Sequence, residues 1–332
     1  MSLFYQEVLE QPKAIKDTIH GNTDVELSLD STKPILFSGM GSSLAACQLV
    51  ALYMNRYGGM AQAVDSSELL HYQMEMLDHY NVFLSSQSGE SIETKEVANK
   101  HKRAKAFTNS PGSSIANAAS ETYFTKATPE EAIASSKSFT TMVSLLLYLS
   151  SKKFGEPLEE EILQAANVIE EVLESRFEEI GELISKTIDP NQPLLLIGRG
   201  PSVITAEQGG LTLKETARIF SESLSSAQFR HGPFELLKEP FQCFLFNPFG
   251  ETYELNIEMA KEIARLGGKV IYVSDEPLVA ENIESIQLNS IDEFVSPIIY
   301  SCVVQIAAIK LCEKKGLVAG EASLISKVTG KQ

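Results

Sequence analysis

The stretch Asn81-Val-Phe-Leu-Ser-Ser-Gln-Ser-Gly-Glu-Ser91 predicts a buried strand that ends in a serine-rich turn. Its apolar run, Val82 to Leu84, is typical of a strand covered on both faces, and the good helix formers after Ser91 indicate a helix. A small anion such as phosphate is favoured at a helix N-terminus by free backbone N–H groups and the helix dipole. The candidate anion ligands are Ser86, Gln87, Ser88 and Ser91. Taken alone, the stretch is explained more simply by a serine N-cap on a connecting loop.

The length and charge of the chain limit its class. A chain of 332 residues can form two α/β domains, and its net charge of -16 argues against a nucleic-acid partner. The longest basic cluster, Lys100-His-Lys-Arg103, is typical of a helix C-terminus. No apolar run approaches the ~18 residues of a membrane span, so we expect no membrane association.

Cysteine and histidine usage points to a cytoplasmic protein without a metal site. The four cysteines, Cys47, Cys243, Cys302 and Cys312, have apolar neighbours and no CxxC spacing, which predicts reduced, buried thiols. The five histidines are scattered without ligand spacing, so we expect no metal.

A second strand, turn and helix precede the opening stretch. The apolar run Ile35 to Phe37 leads into Gly39-Met-Gly-Ser-Ser43, and a helix is predicted from Leu44 to about Tyr57. Without a third glycine this turn is only a weak candidate for nucleotide binding. Continued alternation of strands and helices predicts a mostly parallel sheet with its ligand at the carboxyl ends of the strands.

The chain then repeats itself. Pro34-Ile-Leu-Phe-Ser-Gly-Met-Gly41 aligns without gaps with Pro193-Leu-Leu-Leu-Ile-Gly-Arg-Gly200, at an offset of 159 residues (193 − 34). A period this long indicates duplicated domains. Opposite the serine-rich turn the second copy has Asn247-Pro-Phe-Gly-Glu251, which lacks the hydroxyl groups. Only the first copy is therefore predicted to hold an anion.

Three further segments carry candidate chemistry. Two carboxylates and an imidazole, Glu215, Glu222 and His231, lie within 17 residues of one another in the second copy and suit proton transfer and ring opening of a sugar. A solvated helix face that pairs Glu215 with Arg218, and a helix-stopping turn at His231-Gly-Pro233, explain the same residues equally well. Ser135 and Ser136 begin another helix, where an N-cap is the alternative. Lys327 lies on the C-terminal tail, and such a lysine is usually exposed.

Five segments together resemble the sugar isomerase (SIS) family and, within it, the isomerase half of the glutamine–fructose-6-phosphate amidotransferases. These segments occur in the family's order from about residue 33 to the C-terminus. They are Gly39–Ser43, Ser86–Ser91, Ala134–Thr140, Leu213–Pro233 and Ser326–Thr329.

The resemblance implies an α/β fold of two tandem SIS domains, each a mostly parallel sheet flanked by helices in a flavodoxin-like three-layer sandwich. The expected boundaries are 1–32 for a helical leader, 33–156 and 193–315 for the two domains, 157–192 for connecting helices, and 316–332 for a tail over the active site.

The resemblance also implies roles for particular residues. Glu215 would transfer a proton between C1 and C2, His231 would assist ring opening from the neighbouring subunit of a homodimer, and Lys327 would cover the sugar. Neither a metal nor an organic cofactor is implied. The implied phosphate and sugar contacts are Ser43, Ser86, Gln87, Ser88, Ser91, Ser135, Ser136 and Glu222.

Two departures from the family pattern narrow the expected activity. No glutaminase segment precedes residue 1, so we do not expect a glutamine-dependent synthase, and Ala322 and Ser323 replace the family's Pro-Arg. An amino-sugar-phosphate isomerase/deaminase, a fructosamine-6-phosphate deglycase and a non-catalytic sugar-phosphate sensor all remain compatible with the sequence. The sugar, the amine and the direction of flux stay open.

Overall fold

A computed structural model describes residues 1–321, 324, 326 and 327 of the chain. The chain forms two compact units. The first unit comprises Glu10–Leu163 and Ser323–Gln332, and the second comprises Met1–Leu9 and Gln164–Ala322. The departures from the family pattern at Ala322 and Ser323, and the predicted segment beyond Lys327, lie outside the described residues.

Each unit contains one five-stranded sheet. The strands are β1 (Ile35–Gly39), β2 (Ala61–Asp65), β3 (Asn81–Ser85), β4 (Lys105–Thr108), β5 (Glu121–Phe124), β6 (Leu194–Gly198), β7 (Ser221–Ser225), β8 (Gln242–Asn247), β9 (Lys269–Ser274) and β10 (Ile283–Gln287).

Helices connect the strands. The α-helices are α1 (Leu3–Leu9), α2 (Gln11–His20), α3 (Ser42–Arg56), α4 (Ser66–Tyr72), α5 (Ile92–Lys100), α6 (Ser114–Ala118), α7 (Lys137–Ser151), α8 (Glu159–Glu171), α9 (Phe177–Thr187), α10 (Ser202–Ala217), α11 (Ser226–Phe229), α12 (Tyr253–Arg265) and α13 (Ser296–Lys314). Two 3₁₀ helices span Met74–His79 and Pro233–Lys238, and a π-helical turn spans Val172–Arg176.

Both sheets are parallel and have the same strand order. The first runs β2-β1-β3-β4-β5, and the second runs β7-β6-β8-β9-β10. This is the flavodoxin-like doubly wound order. β1 and β6 lie 159 residues apart at both ends (194 − 35 and 198 − 39), which confirms the predicted duplication.

The first sheet is a middle layer between two layers of helices. On one face, Leu36, Val82 and Leu84 pack into an apolar cluster with α4 and α5. On the other face the rings of Phe37 and Phe83 stack 5.3 Å apart, and α2 and α3 pack against α7, a helix that is buried along its whole length. Alternate side chains of one strand therefore enter opposite cores. The predicted three-layer α/β architecture is confirmed.

Several elements differ from the prediction at sheet edges. Between β2 and β3 the chain forms two short helices, α4 and the first 3₁₀ helix, instead of one continuous helix. Strands β5, β7 and β10 were not predicted, and each lies at the edge of its sheet. Edge strands are covered on fewer sides and so lack a continuous apolar run; β10 has one fully buried residue, Ile286.

Helix α13 corrects the expectation that no run is long enough to span a membrane. It has 19 residues, and an 18-residue window within it has a mean hydropathy of 1.3, which satisfies the length and composition of a span. In the second unit, however, 89% of this stretch is buried. Such burial is what a core helix of an α/β unit requires.

Candidate functional site

The serine-rich turn lies at the point where the order of the first sheet reverses. The chain leaves β1 towards β2 on one side of the sheet and leaves β3 towards β4 on the other. Neighbouring connections that diverge in this way open a crevice at the carboxyl ends of the strands, where ligands of such sheets bind. The turns Gly39–Ser43 and Ser86–Ser91 therefore lie on either side of one crevice.

The turn after β1 requires glycine for two separate reasons. Gly41 has a φ of 51°, in the left-handed region that glycine tolerates best. A Cβ on Gly39 would lie 3.0 Å from the Ser85 carbonyl oxygen and 3.1 Å from the Ser43 Cβ. The missing side chain lets the first turn of α3 approach the end of β3. Ser43 is half-buried at this junction.

Two hydroxyl groups of the serine loop, Ser86–Ser91, are arranged as donors. Ser86 Oγ accepts a hydrogen bond from Gly89 N (3.1 Å), and Ser88 Oγ accepts one from Glu90 N (3.2 Å). A hydroxyl has a single proton and two acceptor positions. Because backbone N–H groups occupy acceptor positions, the protons of both hydroxyls can be donated to an anion.

The loop is fixed from behind by β4 and α6. Asn109 N and Thr108 Oγ1 both donate to the Gln87 carbonyl oxygen at 3.1 Å. Gly89 has a φ of 69°, and a Cβ there would lie 2.1 Å from Ser113 Oγ. The loop backbone is thus closely packed before any ligand binds.

The acidic residue of the serine loop, Glu90, is hydrogen-bonded to Ser114. Glu90 accepts hydrogen bonds from Ser114 N and Ser114 Oγ, both at 2.7 Å. These two bonds, with a smaller effect of Lys95, lower the pKa of Glu90. The carboxylate is held against the start of α6, where helix N–H groups stabilise its negative charge.

A cavity of about 1210 Å³ adjoins the serine loop. Its wall includes Gln87, Ser88, Glu130 and Lys327. Another cavity, of about 730 Å³, lies where β1 and β3 begin, and is lined by Ile35, Asn81 and the segment before β1. Its position at the amino ends of the strands is opposite to that expected for a ligand of this sheet.

The other predicted ligand residues of the first unit surround the crevice without lining the cavity. Ser86 is 5% exposed. Ser43, Ser91 and Ser135 are half-buried, and the Ser91 hydroxyl donates to Glu93 Oε2 at 3.5 Å. Ser136 is fully buried, and its hydroxyl donates to Glu130 Oε1 at 3.1 Å. The structure therefore gives Ser136 an internal partner.

Glu130, which the sequence analysis missed, is a buried carboxylate at the start of α7. Oε1 accepts from Ser136 N (2.9 Å), Ser136 Oγ and Ser138 N (3.0 Å), and Oε2 accepts from Ser138 Oγ and Lys327 Nζ (2.7 Å). Burial alone would raise the pKa of Glu130, but the Lys327 ammonium and the Ser138 donors outweigh burial and lower it. An acid before a helix was the only sequence signal for this group.

Lys137 is a second ionic group at the start of α7, and it does not line the cavity. The side chain is 2% exposed and pairs with Glu10, while Nζ also donates to Thr128 Oγ1 at 3.1 Å. A buried lysine needs such partners to remain charged. Its contacts connect α7 to the segment before α2.

The three predicted catalytic residues of the second unit lie on different elements. Glu215 is half-buried near the end of α10, and Glu222 is exposed on the edge strand β7. His231 is exposed in a tight turn after α11, where its N–H donates to the Gln228 carbonyl at 2.9 Å. Gly232 follows with a φ of 124°. The backbone of His231-Gly-Pro233 thus forms the turn that was the alternative explanation for these residues. The imidazole of His231 faces solvent.

A further carboxylate on α10 was missed by the sequence analysis. Glu207 is half-buried, and burial raises its pKa. Among the described residues, no group of three or more His, Cys, Asp or Glu side chains is suited to hold a metal ion.

In the second unit, the loop Asn247–Glu251 corresponds to the serine loop. Carboxylates of the same unit accept hydrogen bonds from its backbone. Phe249 N donates to Asp275 Oδ2 (2.9 Å), and Glu251 N donates to Glu293 Oε2 (3.3 Å). A Cβ on Gly250 would lie 2.1 Å from that Glu293 oxygen. Internal anions occupy these backbone donors, whereas Ser88 of the first unit lines the cavity beside the serine loop.

Comparison with known proteins gives a consistent result. The SIS domain family matches residues 28–151 and 188–312. The chain is 30% identical over 332 aligned positions to a glutamine--fructose-6-phosphate aminotransferase [isomerizing] of Thermococcus kodakarensis, which covers 94% of this chain and 55% of that protein. The chain thus spans about half the length of the curated relatives it matches.

Two solved structures have the same fold. The C-terminal domain of glucosamine-fructose-6-phosphate aminotransferase from Francisella tularensis has a TM-score of 0.84 at 24% identity, covering 96% of this chain and 98% of that one. Glucosamine-6-phosphate deaminase from Thermotoga maritima has a TM-score of 0.78 at 21% identity, covering 98% and 99%. At these identities the likeness concerns the fold alone.

Proposed function

The chain belongs to the SIS domain family, and we propose that it is a phosphosugar isomerase/deaminase that acts on a hexosamine 6-phosphate or a related ketose phosphate. The observation that carries the proposal is the pair of donor hydroxyls, Ser86 and Ser88, at the switch point of the first sheet. Each of these hydroxyls accepts one hydrogen bond from a backbone N–H group and has its own proton to donate to an oxygen of a dianion. A sugar phosphate near neutral pH is mostly a dianion, whose oxygens act as hydrogen-bond acceptors.

The phosphate is assigned to the serine loop and the sugar to its surroundings. In this proposal Ser86, Gln87, Ser88 and Ser91 bind the phosphate. Ser43, Ser135 and Ser136 provide further hydroxyls for the sugar, with the Ser136 hydroxyl acting through Glu130. Glu222 is proposed as a further contact of the sugar, as the family resemblance implies.

The bond-making steps are assigned to three side chains. His231 protonates the ring oxygen and opens the sugar, reaching the site from the neighbouring subunit of a homodimer. Glu215 removes the C2 proton, which leaves an enolamine, and returns it to C1, so that C2 becomes an imine; water then adds and ammonia leaves. The Lys327 ammonium stabilises the negative charge that develops on the open-chain oxygen. We propose a cytoplasmic enzyme that needs neither metal nor organic cofactor.

A fructosamine-6-phosphate deglycase is the second candidate, and the size of the cavity favours it. The same imine and enolamine steps release a substituted amine instead of ammonia. At about 1210 Å³, the cavity exceeds the roughly 300–1,000 Å³ typical of small-molecule sites. This volume leaves room for a substituent on nitrogen.

The test is to incubate the purified protein with glucosamine 6-phosphate and with fructosamine 6-phosphates and to measure amine release. We expect turnover of one of these substrates and a loss of at least about 100-fold in kcat with Glu215→Gln, within the range of general acid–base catalysis. Ser86→Ala and Ser88→Ala should mainly raise KM.

A non-catalytic sugar-phosphate sensor is the competing class. In that case calorimetry on the unaltered protein, with Ser88 in place, would detect binding of the phosphosugar, and no amine would be released from any of these compounds. If Glu215→Gln changes neither isomerisation nor amine release for any sugar phosphate, the enzyme proposal is wrong.

A further inference from the structure

The carboxylate of Glu130 has a complete set of partners even without Lys327. Its side chain has no exposed surface, and Ser136 and Ser138 at the start of α7 provide two backbone N–H donors and two hydroxyl donors. Helix N–H groups and the helix dipole stabilise a carboxylate at this position. The Ser136 and Ser138 donors therefore fix the position of the Glu130 carboxylate independently of Lys327.

Lys327 depends on this pair for its position. Its side chain is 20% exposed, and Nζ lies 2.7 Å from Glu130 Oε2 and 3.4 Å from the Ile133 carbonyl oxygen. Leu324 and Ser326, the other described residues nearby in the tail, are exposed. A lysine has a flexible four-carbon stem and a point charge, so a fixed anion is what selects a single position for its ammonium group.

In this position the Lys327 side chain forms part of the wall of the candidate site. Glu130 and Lys327 line the same cavity as Gln87 and Ser88 of the serine loop. An ammonium at this wall attracts an anionic ligand into the cavity.

We propose that Glu130 is a positioning residue, which holds the Lys327 ammonium at the wall of the serine-loop cavity and thereby fixes the position of Lys327 on the tail. The consequence for turnover rests on the proposed function of Lys327, whereas the consequence for the tail does not. Glu130 does not touch the sugar in this proposal; it acts through Lys327.

The experiment is a double-mutant cycle with Glu130→Gln, Lys327→Met and the two combined, in the full chain. Glu75→Gln, the same change in an exposed carboxylate of the first 3₁₀ helix, is the control. Hydrogen exchange measured by mass spectrometry on the peptide from residue 321 to the C-terminus reports the tail, and kcat/KM for amine release reports the site. Melting temperatures report the capping role of Glu130 separately.

We expect Glu130→Gln and Lys327→Met to raise tail exchange to the same extent and to lower kcat/KM about 10- to 100-fold each, as expected for a misplaced catalytic group. The double variant should be no worse than Lys327→Met alone, because both changes remove one interaction. Glu75→Gln should leave tail exchange at its original rate.

Two results would overturn the proposal. One is a Glu130→Gln variant that melts lower but keeps the original tail exchange; the other is an effect of Glu130→Gln on exchange that persists in full in the Lys327→Met background. If Glu130→Gln does not fold, Lys327→Met decides, because it leaves the cap of α7 intact: unchanged tail exchange then refutes the proposal. If no sugar phosphate is turned over by the unaltered protein, the proposed function fails while the exchange cycle still tests the role of Glu130.

Discussion

Replacing Gly89 with alanine tests whether the serine loop is preorganised as the structure indicates. Gly89 has a φ of 69°, and a Cβ would lie 2.1 Å from Ser113 Oγ and 2.4 Å from Ser113 Cβ. The left-handed backbone costs roughly 1–2 kcal/mol for alanine, and crowding against the buried Ser113 costs roughly 1–3 kcal/mol. We expect the first unit to lose about 2–5 kcal/mol and its melting temperature to fall by at least about 4 °C.

Thermal unfolding and calorimetric titration with inorganic phosphate measure the two consequences of Gly89→Ala. Phosphate affinity should fall as well, because Gly89 N holds the Ser86 hydroxyl at 3.1 Å. Gly112→Ala is the matched control, since a Cβ there meets nothing within 4 Å. In a Ser113→Gly background the cost of Gly89→Ala should shrink to the backbone part, about 1–2 kcal/mol. A Gly89→Ala protein that melts and binds phosphate like the unaltered chain refutes this account of the loop.

Ser88→Ala should weaken inorganic phosphate binding about 10- to 100-fold, because a hydrogen bond to a charged group contributes ~1.5–3 kcal/mol; unchanged affinity in calorimetry contradicts the donor role. The same titration of the unaltered protein should give one site per chain, and a second site would count against the internal carboxylates of the second unit. Burial raises the pKa of Glu207 in the folded chain above its value of 4.5 in the unfolded chain, so ionisation of Glu207 at a higher pH costs stability. Glu207→Gln should therefore raise the melting temperature at pH 7, and the gain should shrink as the pH falls towards 4.5. An equal effect at every pH speaks against burial as the cause. Glu10→Gln should destabilise the chain by roughly 1–3 kcal/mol by leaving buried Lys137 short of a partner, and Lys137→Met in the same chain should restore much of the loss in a denaturant titration; additive losses exclude the pairing.

Local sequence patterns were sufficient for the repeated core of the fold. Val82 to Leu84 are apolar because β3 is covered on both faces, and Gly39 and Gly41 are required by the turn itself. Such requirements act within a few neighbouring residues and therefore appear in the sequence. The duplication was visible for the same reason, since both copies need the same strand and turn.

The edge strands of the sheets were harder to predict from the sequence. β7 contains Ser221, Glu222 and Ser223, and its side chains are mostly exposed or half-buried. A strand paired along one side only needs no apolar run. From the sequence, this segment was therefore interpreted as a source of catalytic groups and was not predicted to be a strand.

The sequence by itself determined two parallel α/β units, a serine loop after β3 and the loss of hydroxyl groups from the second copy. Only the tertiary structure decided which charges meet. Glu130 and Lys327 pair across 197 positions of the chain, and Asp275 and Glu293 occupy the loop amides of Phe249 and Glu251 from more than 25 residues away. A carboxylate has no local pattern that reveals its partner, because burial and pairing arise only when distant segments fold together.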